Sequence, residues 1–350
     1  MARPSVIAPA PIAERLGSQL LSGPPARTPL HVAERLLAVQ GQDPRGARLA
    51  VRARSTGLSA TDVDAAFTDE RSLLITWLNR GTLHLVASED HPWLLQLTAP
   101  RLLGGCARRL AQMGVDSRLA DRGVGIIESA LSREGPLDRL ELRERLRRGR
   151  VPTDGQISVH LLMLACLRGI AVRGPMIDTH HAYAHVADWL GPTRPREHDV
   201  ALAELARRYL AGHAPADDHD LARWSGLGLG EVRSGLKAIG AELHERPDGL
   251  LEPKGAKPPA PLPAPRLLGA FDPLLLGWCW REDLLGAHAP QITVGGMFRP
   301  FALVDGRAKA VWGLPKGKIS IELLEQISSR DRKALDRDGL EVERFLASAG

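Results

Sequence analysis

With 350 residues, of which 44% are hydrophobic and 25% charged, the chain has enough apolar material for two or more folded domains without staples. A formal net charge of +5 and a pI near 9.4 favour a polyanionic partner without requiring one. The three cysteines, Cys106, Cys166 and Cys279, are widely spaced and include no Cys-x-x-Cys pair. That argues against a disulfide framework or a zinc site and fits a reducing compartment. The start, Met1-Ala-Arg-Pro-Ser-Val-Ile, has no long apolar signal region, and no later stretch is long and apolar enough to span a bilayer. The expected location is the cytoplasm, with no membrane contact.

In chain order, Leu30, Ala33 and Leu37 mark one face of a helix, and Gln40 falls next on that face, where a leucine would be expected. Gly41 can take the left-handed conformation that ends a helix and turns Gln42 back toward the same region. Two neutral amides are then expected to converge at a helix end. Taken alone, a glutamine closing an apolar face is more often a buried side chain satisfied by backbone. Asp43 is the nearest carboxylate, a candidate general base, but an aspartate before Pro44 is more often a turn or helix-start residue. Leu73, Leu74 and Trp77 read as a helical stripe that Asn79-Arg80-Gly81 breaks. Thr82 to Val86 then alternates as a strand, with Leu83 and Leu85 on one side and Thr82 and His84 on the other. Helices followed by a short strand suit a winged helix over residues 1–115.

A second unit, 116–190, carries helical patterns at Val124–Leu131, at Leu140–Leu146 after the break at Gly135-Pro136, and at Ile157–Leu167, followed by an apolar piece at Ile170–Val172. A third, 191–252, runs through Val200–Leu210, Leu221–Trp224, Val232–Ile239 and a wing-like Ala241–Leu251. Pro136 and Leu142 recur in spacing as Pro215 and Leu221, a faint internal repeat. Asp220-Leu-Ala-Arg-Trp-Ser-Gly-Leu followed by Val232 and Leu236 reads as a helix-turn-helix. Residues 253–265 form a Pro-rich extended connector. In the last unit, 266–350, Phe301–Val304, Asp305-Gly306 and Arg307–Trp312 read as a β-hairpin, and Ile321–Leu346 as a surface helix. Arg299, Arg307 and Lys309 surround that hairpin, where cations on a two-stranded ribbon can follow a DNA groove. Arg143, Arg145, Arg147, Arg148 and Arg150 alternate with Glu141 and Glu144 as a solvated face, with phosphate binding the alternative. Trp278, Trp280 and Trp312 are expected in the core, with one of them stacking against an adduct as the lesser alternative.

Four segments in order carry a resemblance: Val39-Gln-Gly-Gln-Asp-Pro-Arg45, Thr76-Trp-Leu-Asn-Arg-Gly-Thr-Leu-His-Leu-Val86, Phe271-Asp-Pro-Leu-Leu-Leu-Gly277 and Gly295-Gly-Met-Phe-Arg-Pro300. Over nearly its whole length the chain resembles the AlkZ-like winged-helix DNA glycosylases, the azinomycin-resistance family that unhooks interstrand crosslinks. The resemblance implies a mainly α fold with β: three winged-helix modules in a C-shape around DNA, followed by a small β-rich C-terminal domain. It also implies that Gln40 and Gln42 are the catalytic Gln-x-Gln pair, which reverses the bland reading, with Asp43 and His84 in supporting places. Two departures stand out. The middle residue of the motif is usually larger and apolar, and Gly41 here implies a more mobile loop. After Gly277 the family tends to have Asp-Arg, whereas Trp278-Cys279-Trp280-Arg281 keeps only the arginine.

The chemistry fits two amides. A purine alkylated at N7 is already cationic and departs neutral, so no general acid is needed. A glutamine oxygen can hold the attacking water and face the oxocarbenium-like sugar, worth roughly a few kcal/mol per group. The expected protein is a monomeric, monofunctional glycosylase without metal or cofactor, acting on double-stranded DNA that carries alkylated purines. Its expected substrates are N7-alkylguanines, including bulky natural-product adducts or interstrand crosslinks, in repair or antibiotic self-resistance. Lysines are scarce near the motif, which disfavours lyase chemistry. A non-catalytic winged-helix regulator is the alternative, and a drug-sequestering protein the third class.

Overall fold

The computed structural model describes residues 11–177, 180–193 and 195–348. The first module begins with α1 (Ile12–Ser18), α2 (Pro29–Leu36), β1 (Val39–Gln40), α3 (Pro44–Arg54) and α4 (Ala60–Thr68). Side-chain caps start three of its helices: Thr28 on α2, Asp43 on α3, and a reciprocal Ser59/Asp62 capping box on α4. Strands β2 (Leu73–Leu78) and β3 (Thr82–Ala87) follow. The helical reading of Leu73, Leu74 and Trp77 is thus corrected to a strand. All six residues of β2 are buried, because it is a central strand with helices packed against it. Such a strand shows a continuous apolar run instead of alternation.

The second module is built from α5 (His91–Gln112), α6 (Ser117–Glu134), α7 (Arg139–Arg148), α8 (Ile157–Leu167), β4 (Ala171–Ile177), β5 (His180–His185) and α9 (Val186–Leu190). Its wing does not stand alone. Ile75 of β2 pairs with Arg173 of β4, so the strands of the first two modules make one antiparallel sheet in the order β1-β3-β2-β4-β5. The third module has α10 (His198–His213), α11 (Asp218–Ser225), α12 (Leu229–Ala238) and a separate wing, β6 (Leu243–Glu245) with β7 (Leu251–Pro253).

The internal repeat has a physical origin. Asp138 and Asp217 each open a helix through a capping box, with Glu141 and Asp220 respectively. The residue just before each aspartate bridges to its module's strands, Leu137 to Tyr183 and Ala216 to Leu251. The spacing shared by Pro136 and Pro215 marks one entry turn used twice.

The C-terminal domain contains β8 (Arg266–Leu268), α13 (Pro273–Leu276), α14 (Glu282–Leu285), α15 (Ala289–Ile292), β9 (Thr293–Val294), β10 (Met297–Phe298), β11 (Phe301–Val304), β12 (Arg307–Gly313), β13 (Ser320–Leu323) and α16 (Ser329–Ala347). Asp305 and Gly306 take φ of 51° and 74° between β11 and β12, so the hairpin is where the Asp-Gly pair puts it. The terminal helix is shorter than its charge pattern suggests, since Ile321 lies in β13, at the edge of a sheet ordered β13-β12-β11-β8. Trp278 and Trp312 are buried as expected, but Trp280 is 47% exposed, a correction taken up below.

One buried ion pair ties this domain to the first module. Arg54, at the end of α3, makes a two-pronged bond to Asp272 (2.9 and 2.8 Å), and neither side chain reaches solvent. Gln19 accepts from the same guanidinium at 2.9 Å, while Asp272 also caps α13 by accepting from the Leu274 amide. At the other end of α3, Gly46 presses on the Ala270 carbonyl, where a Cβ would lie 2.4 Å away. Removing one partner strands a buried charge, so Arg54→Ala is expected to cost about 3–5 kcal/mol. Chemical denaturation should show that loss, and the paired Arg54→Met, Asp272→Leu variant should recover much of it.

Candidate active site

The chain leaves α2 through a γ-turn of the rare positive-φ kind. Leu37 has φ 63° and ψ −44°, and the Ala38 amide donates to the Leu36 carbonyl at 2.7 Å. This reversal, strained in a residue with a side chain, feeds the chain into β1. Val39 then pairs with Leu85 and Gln40 with His84. Gln40 therefore sits on an edge strand, not at a helix end, and Gly41 does not adopt the left-handed conformation expected of it. Nor does Gly41 form a loose loop. It is buried, its amide donates to the Leu83 carbonyl at 2.7 Å, and the place of its missing Cβ lies 3.4 Å from the Ile75 side chain. Ile75 takes up the space that a larger middle residue would use.

Both glutamines lie against β3. Gln40 is 7% exposed, on the sheet face it shares with its cross-strand neighbours His84 and, one strand further, Thr76. It makes no hydrogen bond through its side chain to another described residue. Gln42 is exposed, with its Oε1 3.5 Å from the Leu83 amide, long for a hydrogen bond and easily released. Asp43 takes the helix-start place: its Oδ1 accepts from the Arg45 amide at 3.1 Å.

His84 is buried, and its Nδ1 lies 2.9 Å from the Thr82 carbonyl. A carbonyl partner requires a proton on Nδ1, which leaves Nε2 as an acceptor. Burial, and then the charge of Arg80, push the imidazole down to about 3, with the Thr82 hydrogen bond opposing. At neutral pH His84 is uncharged and is no general acid. The adjoining turn also holds unmet polar capacity: both polar side-chain atoms of the 3%-exposed Asn79, and the Thr82 hydroxyl, lack a partner among the described residues.

The three C-terminal cations fall elsewhere, around the second sheet. Lys309 lies 3.3 Å from both Asp305 and Glu325, so its charge is already matched. Arg299 donates to the Gln291 carbonyl at 3.2 Å and approaches Glu322 at 3.9 Å, whereas Arg307 is exposed. In the α7 run, Arg145 pairs with Glu134 at 2.6 Å and Arg148 with Glu144 at 3.1 Å, the solvated face expected. Composition and charge gave no hint of the finger β9–β10, turned by Gly295 and Gly296 at φ 56° and 84°. Its Gly-Gly pair is a hairpin signal. Val294 and Met297 on it are 52% and 59% exposed.

Tandem winged helices with a Gln-x-Gln motif that begins on the first module's edge strand agree with a family model described as "DNA glycosylase AlkZ-like", which matches residues 33–345. The chain belongs to the AlkZ-like DNA glycosylases, and the alternative of a non-catalytic regulator gives way to an enzyme. It is similar to the "Interstrand DNA cross-link repair glycosylase" of Streptomyces sahachiroi, 27% identical over an alignment of 354 positions, gaps included, that covers 89% of each chain. Among solved structures, the Streptomyces sahachiroi DNA glycosylase AlkZ superposes with a TM-score of 0.78 at 23% identity, covering 96% of this chain and 95% of that one. Among the described residues no group of three or more His, Cys, Asp or Glu could hold a metal ion, and no helix is long and apolar enough to cross a membrane.

Proposed function

We propose that this glycosylase hydrolyses the N-glycosidic bond of N7-alkylated guanine in duplex DNA, and that its substrates extend to bulky natural-product adducts and interstrand crosslinks, in repair or antibiotic self-resistance. The observation that carries this reading is a site of neutral groups: two amides on β1 and just beyond it, opposite a histidine kept unprotonated. Such a site protonates no leaving group, so the substrate must bring its own activation, which a cationic purine does. The C1′–N9 bond breaks with its electron pair passing into the purinium ring, and 7-alkylguanine leaves neutral. Water oxygen bonds to C1′ and its proton passes to solvent. Gln40 and Gln42 hold that water and turn their amide oxygens to the developing positive charge.

The test is an abasic-site assay on matched duplexes. Those carrying 7-methylguanine or a bulkier N7 adduct should give alkali-labile sites, and those carrying uracil or 8-oxoguanine should not. Release of uracil at a comparable rate would sink the reading, because that base leaves poorly without assistance.

A further inference from the structure

Three arginines distant in sequence meet at the turn between β2 and β3. Arg80 comes from the β2–β3 turn, Arg223 from the last turn of α11, and Arg281 from the segment between α13 and α14. Arg80 Nη1 donates to the carbonyls of Arg223, at 3.0 Å, and Trp224. The turn is pressed on the end of α11, where a Cβ on Gly226 would lie 3.0 Å from the Asn79 carbonyl oxygen. Arg281 Nε donates to the Leu275 carbonyl, and its segment is fastened to α11 by Cys279, whose amide donates to Asp220 at 2.8 Å and whose thiol lies 3.4 Å from the His219 carbonyl.

Among the described residues none of the three forms an ion pair, although Arg101, Arg207, Arg208 and Arg233 on neighbouring helices all have carboxylate partners. Partial burial, then the charges of Arg223 and Arg281, hold Arg80 below the usual guanidinium range, and burial with Arg223 does the same to Arg281. Like charges assembled without a counterion are costly, and an anion among them removes that cost. The cluster is open: Arg80 and Arg223 are exposed and Arg281 is half-buried. Asn79, buried with both polar side-chain atoms unpartnered, adds unmet hydrogen-bonding capacity in the same turn.

The surroundings suit a nucleic acid better than a free anion. Trp280, 47% exposed, precedes Arg281, and the Arg281 guanidinium lies 5.3 Å from the Phe298 ring at the base of the exposed finger. An exposed aromatic beside a cation offers a base a stacking surface. The cluster also borders the chemistry, since the charge of Arg80 acts on His84, which opposes Gln40.

We propose that Arg80, Arg223 and Arg281 clamp one backbone phosphate of the strand that carries the base to be excised, fixing its sugar in register with Gln40 and Gln42. Phosphate contacts of this kind position a strand without reading its sequence. The proposal rests on the glycosylase reading above, and its test is a binding measurement, so the two can fail separately.

The probe is a duplex with one tetrahydrofuran abasic analogue, in which each phosphate near the analogue is replaced in turn by an uncharged methylphosphonate. Arg80 is left in place because it also caps α11; the variant is Arg223→Gln with Arg281→Gln. For the wild type, one position on the analogue-bearing strand should lower affinity by about tenfold. In the double variant that position should cost nothing further, and the slope of log affinity against log salt should fall by about one for each phosphate that is no longer neutralised. An equal methylphosphonate penalty in both proteins at every position, or coupling only to the opposite strand, overturns the clamp. So does a thermal shift of the wild type, absent in the variant, with inorganic phosphate alone when no duplex position couples. A wild type that couples to the phosphate yet excises no base sinks the proposed chemistry and sustains the clamp. One without affinity for any duplex overturns both.

Discussion

Gln40→Ala should lower single-turnover excision of 7-methylguanine by about a hundred- to a thousandfold, while duplex affinity stays within a few-fold of wild type. The amide is nearly enclosed on the face shared with His84 and has no bond to another described side chain or backbone group to lose. On the mechanism proposed above, its removal withdraws a stabilising dipole and spares the fold, which an unchanged melting temperature would confirm. Gln42→Ala should cost roughly ten- to a hundredfold, since an exposed side chain is less preorganised than an enclosed one. Wild-type rates from both variants would end the assignment. Asp43→Asn is the companion measurement. It keeps an acceptor for the Arg45 amide, so a rate loss greater than that of either glutamine would make Asp43 the general base and reduce the amides to support.

The second large effect is on stability in acid. Burial pushes His84, His181 and His213 down to about 3 and His91 to about 4, with Arg80 adding to the effect at His84 and Arg173 at His181. An imidazole in the unfolded chain titrates near 6.5. Below that pH the unfolded chain takes up protons that the folded chain refuses, so stability is full above about pH 6.5 and falls as pH drops toward 3–4. Each histidine should cost about 2 kcal/mol at pH 5, and four together would consume much of an ordinary domain's margin. Urea titrations between pH 7.5 and 5 should show a steep decline, moderated in His181→Asn. A flat profile would mean that these rings admit protons without unfolding. Over the same range His84 contributes no ionisation to the rate of excision.

Much of the scaffold was legible because its signals are local. The helix at Ile157–Leu167 ends where its apolar run ends, and the Asp305-Gly306 turn falls between the strands it was read to join. The reading failed where burial on both faces erased the period, as at Leu73–Leu78, and where a strand continued an apolar spacing begun by a helix, as at Gln40. The reversal at Leu37 leaves no mark in composition, since a leucine at positive φ is imposed by its surroundings. The pair Gln40 and Gln42 was found through a motif, whereas its opposition to His84 required the sheet register. No spacing rule could have joined Arg80, Arg223 and Arg281. They meet only because the β2–β3 turn abuts the end of α11 and Cys279 is fastened to the same helix.

The shared sheet also limits how the strand that carries Gln40 can move. With the strands of the first two modules joined at Ile75 and Arg173, the module that carries Gln40 cannot swing away from its neighbour without tearing the sheet. The third module is pressed on the β2–β3 hairpin and on α2: Arg80 donates to the Arg223 carbonyl at 3.0 Å, and a Cβ on Gly212 would lie 2.2 Å from the Arg35 carbonyl oxygen. Whatever approaches Gln40 meets a strand whose position is set by the sheet and not by the approaching group.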